Sequence, residues 1–148
     1  TLLSGCHYDY IDFSIWPGFE TGTPESRRCI RTWIGHLSDF IHSMDLARAR
    51  PMPGALTAQP PHTLECVYGV PGEDYAIYLA DERELDEPGA GEAISGPVAL
   101  RIPQGRYRMA CYSPSGGLYS PWVAVDGGEM RFEAPEFRDD LVIRIKTG

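Results

Sequence analysis

The spacing of apolar residues changes at the prolines after residue 50, and this change constrains the fold more than any other feature. Between residues 24 and 45 the apolar residues recur with the spacing of an α-helix. Prolines then interrupt every regular element between residues 51 and 62. Beyond residue 62, apolar and polar residues alternate, which is typical of strands with one buried face. The sequence therefore predicts a helix, a connection stiffened by proline, and a β-rich body.

The helix is predicted over residues 24–45. Thr23 is a suitable N-cap, and Pro24 suits the first helical position, where a missing N–H costs nothing. The helix has a single apolar stripe, so we expect it to lie on a sheet or on another helix, or to be covered by a second copy of the chain. The stripe consists of Ile30, Trp33, Ile34, Leu37, Phe40, Ile41 and Met44.

About seven short strands are predicted after the prolines, with one apolar face each and turns of hairpin length between them. They are Thr63–Val70, Tyr75–Ala80, Val98–Ile102, Arg106–Tyr112, Tyr119–Val125, Met130–Ala134 and Leu141–Lys146. Residues 103–105 and 126–128 have the composition of tight turns. The predicted fold is mainly β with an N-terminal helix (α+β). Its body would be an antiparallel β-sandwich of Ig-like or jelly-roll type, whose strand order the sequence does not give.

Charge and hydropathy exclude two kinds of partner. The net charge of −8 arises from 13 basic and 21 acidic residues, whereas binding to phosphate backbones requires concentrated positive charge. No apolar run is long enough to span a membrane, and no signal peptide is visible. We therefore expect neither nucleic acid nor membrane as a partner.

The cysteines and histidines do not predict a metal site or any cofactor. The four cysteines are widely spaced without a C-x-x-C, and the four histidines have no spacing typical of metal ligands. Cys66 and Cys111 lie on the apolar faces of predicted strands. They are either buried thiols or, in an oxidising compartment, a disulfide, and the sequence leaves both alternatives open.

The opening segment is dense in aromatic and acidic residues: Tyr8–Glu20 contains five aromatics and three carboxylates. Tyr10–Ile15 alternates like a strand, and the residues before it are typical of a helix end closed by Gly5. Helix end, strand, loop and helix in this order form a slice of a βα repeat, in which the loop after the strand usually carries function. A chain that opens inside a helix, and with Thr instead of Met, is expected to continue upstream.

The stretch "LLSGCHYDYIDFSIWPGFETGT" resembles the end of the catalytic barrel of a group of bacterial TIM-barrel glycoside hydrolases. "GEDYAIYLAD", "LRIPQGRYRMACYSPSGG" and "APEFRDDLVIRIK" resemble the C-terminal β-sandwich of the same proteins, which is also labelled a collagen-binding domain. The resemblance implies a strand–loop–helix unit over residues 1–50, a connection over 51–62 and a sandwich over 63–148. Phe19 and Thr21 depart from the family, which often has His and Asp there.

The resemblance also implies where function would lie. Glycoside hydrolysis needs two carboxylates flanking the scissile bond, and in these barrels both come from earlier strands, so we assign no catalytic residue to this chain. In a complete barrel the opening loop would line a sugar subsite, while aromatics of the sandwich could stack on a sugar. The candidate binding residues are Asp12, Trp16, Phe19, Glu20, Tyr119 and Trp122. The structural alternative is that the acids bind loop amides and the helix start, and that the aromatics only pack.

Three functional hypotheses follow. The first is a non-catalytic C-terminal part of a glycoside-hydrolase-like protein, which supports a barrel and contacts a polysaccharide or oligosaccharide. The second is a stand-alone module that binds carbohydrate or a matrix protein, and the third is a folded gene fragment with no independent function. A homodimer through the stripe of the helix at 24–45 is a further expectation. The compartment would be extracellular or periplasmic if the parent hydrolase is secreted.

Overall fold

The computed structural model describes Leu3 and residues 22–83 and 87–148. The predicted strand at 10–15 and the loop after it lie outside these residues. The described elements are α1 (Pro24–His42), β1 (Arg50–Pro51), β2 (Leu56–Ala58), β3 (Thr63–Val70), β4 (Asp74–Asp81), β5 (Ile94–Ser113), β6 (Leu118–Tyr119), β7 (Val123–Phe137) and β8 (Asp140–Thr147).

The start of α1 is set by side chains at its first turn. Thr23 Oγ1 accepts a hydrogen bond from Ser26 N at 3.1 Å, and Ser26 Oγ accepts one from Thr23 N at 3.0 Å. This reciprocal pair is a capping box, with Pro24 in the first helical turn. The predicted N-cap is therefore confirmed. The helix ends at His42, three residues before the predicted end, where Ser43 N donates to the carbonyl of Asp39.

All strand pairs are antiparallel, and the strands form one curled sheet in the order β1-β3-β4-β8-β5-β2. β6 and β7 both pair with β5 outside this path. The prediction of a mainly β, antiparallel fold with an N-terminal helix is confirmed. The strand order could not be predicted, and it places β8 in the centre of the sheet.

Two predicted turns are wrong, because the chain continues as strand through both. Residues 103–105 lie inside β5 and residues 126–128 inside β7, so four predicted strands become two long ones. The register between β5 and β7 shifts between Ile102 and Arg106. The two strands therefore bend side by side at this point, and neither folds back as a hairpin. Gly127 makes this bend possible, since a Cβ there would lie 2.1 Å from the carbonyl oxygen of Pro103.

The short strands β1 and β2 occupy part of the segment predicted as a connection. β1 pairs with β3, and β2 pairs with the first half of β5. Met52 N also donates to the carbonyl of Val67 on β3 at 2.8 Å. The proline-containing segment therefore runs beside the sheet and is hydrogen-bonded to it. The division into domains at 1–50, 51–62 and 63–148 stays a prediction.

The main core lies inside the curl of the sheet. The first half of β5 pairs with the second half of β7, and the second half of β5 pairs with β8. Odd-numbered side chains of β4 and β8 point inward and meet the first half of β5. Members of this core include Ile77, Leu79, Val98, Leu100, Met130, Phe137, Ile143 and Ile145. The opposite, outer face of β3, β4, β8 and β5 receives the end of α1.

Candidate functional site

Only the last part of α1 packs closely on the outer face of the sheet. Phe40 and Met44 are buried in a second cluster that includes Tyr68 and Val142. The earlier residues of the predicted stripe are much less covered: Trp33 is 52% exposed, Ile34 36% and Leu37 37%. Within the described residues, the helix therefore presents a partly uncovered apolar surface, which we call the open stripe (Trp33, Ile34 and Leu37).

A buried ion pair fixes the end of α1 to the sheet. Arg144 Nε and Nη2 each donate to a carboxylate oxygen of Asp74 at 2.5 Å. The same guanidinium donates to Ser43 Oγ at 3.2 Å and to the Ser43 carbonyl at 3.3 Å, and it lies over the Phe40 ring. Because every charge here has a partner, we assign this group a structural role.

A groove of about 470 Å³ lies between α1 and the outer face of the sheet. The open stripe forms part of one wall through Trp33 and Leu37, and Tyr78 and Tyr112 contribute from the sheet. Most of its lining is apolar or aromatic, as in many ligand sites and many protein contacts. The remaining lining residues are Leu3, Phe40, Ile41, Cys66, Pro114, Ser115, Asp139, Asp140 and Val142.

The polar group in this groove is a carboxyl beside a phenol. Tyr78 Oη donates to Asp140 Oδ2 at 3.2 Å. Burial raises the pKa of Tyr78 to about 12. Burial also raises the pKa of Asp140, against the opposing effect of the hydrogen bond from Tyr78. Asp139, the other carboxylate of the groove, precedes Asp140 in the chain and so belongs to the same wall. Two acids on one wall do not flank a scissile bond as glycoside hydrolysis requires.

The predicted binding residues Tyr119 and Trp122 belong to a series of aromatic contacts, which we call the aromatic ladder (Phe40, Tyr112, Tyr119 and Trp122). Ring centroids are 4.9 Å apart between Phe40 and Tyr112, 4.8 Å between Tyr112 and Tyr119, and 5.3 Å between Tyr119 and Trp122. The ladder thus runs from the end of α1 across the loop at 113–122.

Hydrogen bonds hold the same loop to the helix and to β5. Tyr112 Oη donates to the carbonyl of His36 at 3.1 Å, and His36 Nδ1 lies 3.2 Å from the carbonyl of Pro114. Ser120 N donates to the carbonyl of Cys111 at 2.7 Å, while Cys111 N donates to Ser120 Oγ at 2.9 Å. The loop is therefore bound at both ends, which fixes the position of the aromatic ladder.

Two cationic side chains contact Trp122, the ring of the aromatic ladder farthest from α1. Arg108 Cζ lies 5.0 Å from the ring centroid of Trp122, and Lys146 Nζ lies 5.1 Å from it. Tyr119 stacks on the same ring at an interplanar angle of 29°. A sugar that stacked on Trp122 would have to compete with these contacts. The stacking of a sugar on Trp122 stays a prediction.

Two of the residues predicted as sites lie within the described part of the chain. Tyr119 and Trp122 are neighbours, while Asp12, Trp16, Phe19 and Glu20 lie outside the described residues. Sequence reasoning missed Arg108 and Lys146 as neighbours of Trp122. Alternation along β5 and β8 separates Arg108 and Lys146 from the apolar residues of each strand, but it does not show that the two side chains are adjacent.

The described cysteines are not arranged for a disulfide between Cys66 and Cys111. Cys66 lies on β3 and Cys111 on β5, with β4 and β8 between them. Three strand spacings amount to about 14 Å, well beyond the reach of a disulfide, and no disulfide joins them. Burial raises the pKa of the Cys111 thiol. The alternative of two thiols is the one the structure supports.

Neither a metal centre nor a membrane span is found in the part of the chain that the structure describes. No group of three or more His, Cys, Asp or Glu side chains there could hold a metal ion. The described helix is also not long and apolar enough to cross a bilayer.

Comparison with known proteins gives matches among solved structures. No family model matches the chain, and no curated protein matches it. One similar structure is described as a glycoside hydrolase, with a TM-score of 0.57 and 11% identity over 76% of this chain. Another is a glycoside hydrolase family 5 protein from Bacteroides vulgatus ATCC 8482, with a TM-score of 0.57 and 10% identity over 78% of this chain. This chain covers 24% of the length of each. It therefore shares its fold with about a quarter of each of these two glycoside hydrolases.

Proposed function

We propose that this chain is a non-catalytic part of a glycoside-hydrolase-like protein, in which it supports a catalytic barrel and contacts polysaccharide. The likeness of fold to two glycoside hydrolases, each about four times as long as the matched segment, supports this placement. In such a protein the catalytic carboxylates would come from the remaining length of the chain.

The open stripe is the observation that carries the proposal. Full burial of a large apolar side chain is worth about 1.5–3 kcal/mol relative to leaving it exposed, so three partly exposed side chains in a row are unfavourable unless something covers them. They also continue into the groove, which makes one connected apolar surface. Surfaces of this kind mark contacts with other protein. The occupant we propose is the catalytic barrel of the same polypeptide.

The lack of a suitable acid pair supports a non-catalytic role for the described residues. Asp139 and Asp140 share one wall of the groove, and Asp140 is engaged by Tyr78. The buried charges of Asp74 and Arg144 neutralise each other. The two carboxylates of the groove thus do not face each other across it, so we expect the isolated chain to hydrolyse no chromogenic glycoside.

The test compares one substitution in two contexts. In the chain alone, Trp33→Ser removes a side chain that is 52% exposed, so it should lower the free energy of unfolding by about half the value for full burial, roughly 0.75–1.5 kcal/mol. In the protein expressed together with its upstream coding sequence, the same change should cost about 1.5–3 kcal/mol, because Trp33 would then be buried. Leu64→Ser is the matched control, since Leu64 is 61% exposed on β3 and does not line the groove. Urea unfolding measures each value.

Two results would overturn the proposal. One is an equal effect of Trp33→Ser in both contexts, because the stripe would then have no partner upstream. The other is glycoside turnover by the isolated chain that Asp140→Asn abolishes, since the described residues would then be catalytic.

The aromatic ladder favours a second candidate, a stand-alone module that binds a glycan or a matrix protein. Tyr119 is 37% exposed and Trp122 is partly exposed, and both lie on a loop that hydrogen bonds hold in place. A glycan array and a collagen pull-down would detect such binding, which Trp122→Ala should abolish. A homodimer through the open stripe would instead give a dimer in analytical ultracentrifugation that Trp33→Ser dissociates. A folded fragment without function would give neither signal.

A further inference from the structure

Two positive side chains lie directly opposite each other on the outer face of the sheet. Arg108 on β5 is in register with Lys146 on β8, and both lie about 5 Å from the ring centroid of Trp122. We call them the cation pair. Like charges opposite each other on neighbouring strands destabilise a sheet, so this arrangement needs an explanation.

No carboxylate neutralises the cation pair within the described residues. Neither side chain forms an ion pair there, and Asp74, which acts on Lys146 electrostatically, is already held by Arg144. Burial, together with the charges of Arg108 and Arg144, lowers the pKa of Lys146. The two cations lie in register on neighbouring strands and have no carboxylate partner among the described residues, so an anion can bind them without displacing one. Such a place favours an anion from outside.

The side chain that flanks the cation pair on β7 is small. Ala124 lies opposite Arg108 and is exposed, so a methyl group stands next to Arg108 on that side. In the described sheet β7 pairs with β5 alone, which leaves its other edge open. Arg106 precedes Arg108 by two residues on the same strand and is exposed as well. A ring could lie over Ala124 with its substituents directed at the cations.

We propose that Arg108, Lys146 and the edge of Trp122 bind the carboxylate of a hexuronate residue in an acidic polysaccharide. This inference rests on the proposed contact with polysaccharide and names its chemical class. The Arg108 guanidinium can donate two parallel hydrogen bonds to one carboxylate, and the Lys146 ammonium adds a point charge. The apolar face of the sugar would lie on Ala124, next to Arg108.

A purely structural role explains the cation pair less well. One cation over the ring would suffice to anchor Trp122 through a cation–π contact, whereas the second adds repulsion from the first. The two roles also respond differently to substitution. An anchoring role depends on contact with the ring, while an anion site depends on positive charge and on the carboxylate of the ligand.

The experiment measures binding of polygalacturonate to the intact chain by isothermal titration calorimetry at low salt. Arg108→Gln and Lys146→Gln should each weaken binding about tenfold, which corresponds to one charge-assisted hydrogen bond. Arg131→Gln is the matched control: Arg131 is an exposed arginine of β7 that pairs with Glu129, and its loss should change binding less than about twofold. Lys146→Arg keeps the charge and should keep binding. Far-UV circular dichroism checks that each variant is folded.

Three further ligands separate the sources of binding. Methyl-esterified polygalacturonate and a neutral β-glucan should bind at least about tenfold more weakly than the acid, and dextran sulfate should not bind more tightly. Equal binding of the neutral glucan would overturn this inference but uphold the contact with polysaccharide. Equal losses in Arg131→Gln and Lys146→Gln, or a preference for dextran sulfate, would overturn the carboxylate site in favour of unspecific charge. Failure of every polysaccharide would overturn both proposals for binding, while the Trp33→Ser test of barrel contact would stand apart.

Discussion

Removal of Asp74 should destabilise the protein more than removal of any exposed carboxylate. The Arg144 side chain is 2% exposed and that of Asp74 19%, and the two share a pair of short hydrogen bonds. Asp74→Ala would leave a buried guanidinium without its counterion. Breaking one side of a buried ion pair costs about 3–5 kcal/mol. We expect about 3 kcal/mol, since Asp74 is partly open to water and Ser43 still accepts two hydrogen bonds from Arg144.

The assay is equilibrium unfolding in urea, followed by tryptophan fluorescence and by circular dichroism at 222 nm. A loss of about 3 kcal/mol is a large fraction of the 5–15 kcal/mol typical of a folded domain, so the midpoint should fall clearly. The end of α1 depends on this ion pair, because Arg144 also bonds to Ser43 and lies over Phe40. The helix signal should therefore be lost at lower urea concentration than in the unsubstituted chain.

A double substitution tests the cause of this loss. Arg144→Met added to Asp74→Ala removes the stranded charge, and a hydrophobic replacement of a buried pair is often neutral. The double variant should thus be more stable than Asp74→Ala alone. The control is Glu73→Ala, which breaks an exposed ion pair with Arg48 on the same side of the molecule and should leave the midpoint unchanged. A loss below about 1 kcal/mol for Asp74→Ala, or no recovery in the double variant, would refute the reasoning.

Three smaller predictions follow from single positions. Gly35→Ala should stabilise the protein by about 0.5–1 kcal/mol in thermal unfolding, because Gly35 is inside α1 with open space around it; an unchanged midpoint would argue against the helix. Gly127→Ala should lower the free energy of unfolding by about 1–3 kcal/mol, since its Cβ would collide with the Pro103 carbonyl. Unchanged stability would contradict the close approach of β5 and β7 at their bend. The raised pKa of Asp140 means that the folded state holds this proton more tightly, so its contribution to stability falls as pH rises from 3.8 through the raised value. Asp140→Asn should flatten this part of the pH profile of urea unfolding, and an unaltered slope would disprove the burial effect.

The elements with local signals could be predicted well from the sequence. Thr23 and Pro24 mark the start of α1 because capping acts within one turn. β3, β4 and β8 alternate so regularly that their predicted bounds differ from the observed ones by at most one residue. Each of these features depends on neighbours in the chain, which a sequence shows directly.

The bends of β5 and β7 could not be predicted in this way. Residues 103–105 and 126–128 have ordinary turn composition, yet each segment continues as a strand because the other bends beside it. A bulge depends on how two paired strands fit together, so the sequence of one strand does not reveal it. Whether the chain reverses or only bends at these residues depends on pairing between strands that are far apart in the sequence.

The candidate site was predictable only in part for the same reason. Tyr119 and Trp122 are three residues apart in the chain, so their proximity to each other follows from the sequence. The cations that contact Trp122 come from β5 and β8, and the partner of Asp140 comes from β4. These contacts depend on the strand order, which the spacing of apolar residues does not contain.

The central place of β8 has a consequence for how the protein is made. Until the ribosome has released β8, β4 and β5 have no strand in common, and the sheet exists as two separate pieces with an unpaired edge each. Such edges invite pairing with other chains. Synthesis of this eight-residue strand then joins the two pieces in one step, so the nascent sheet is most exposed to aggregation just before that moment.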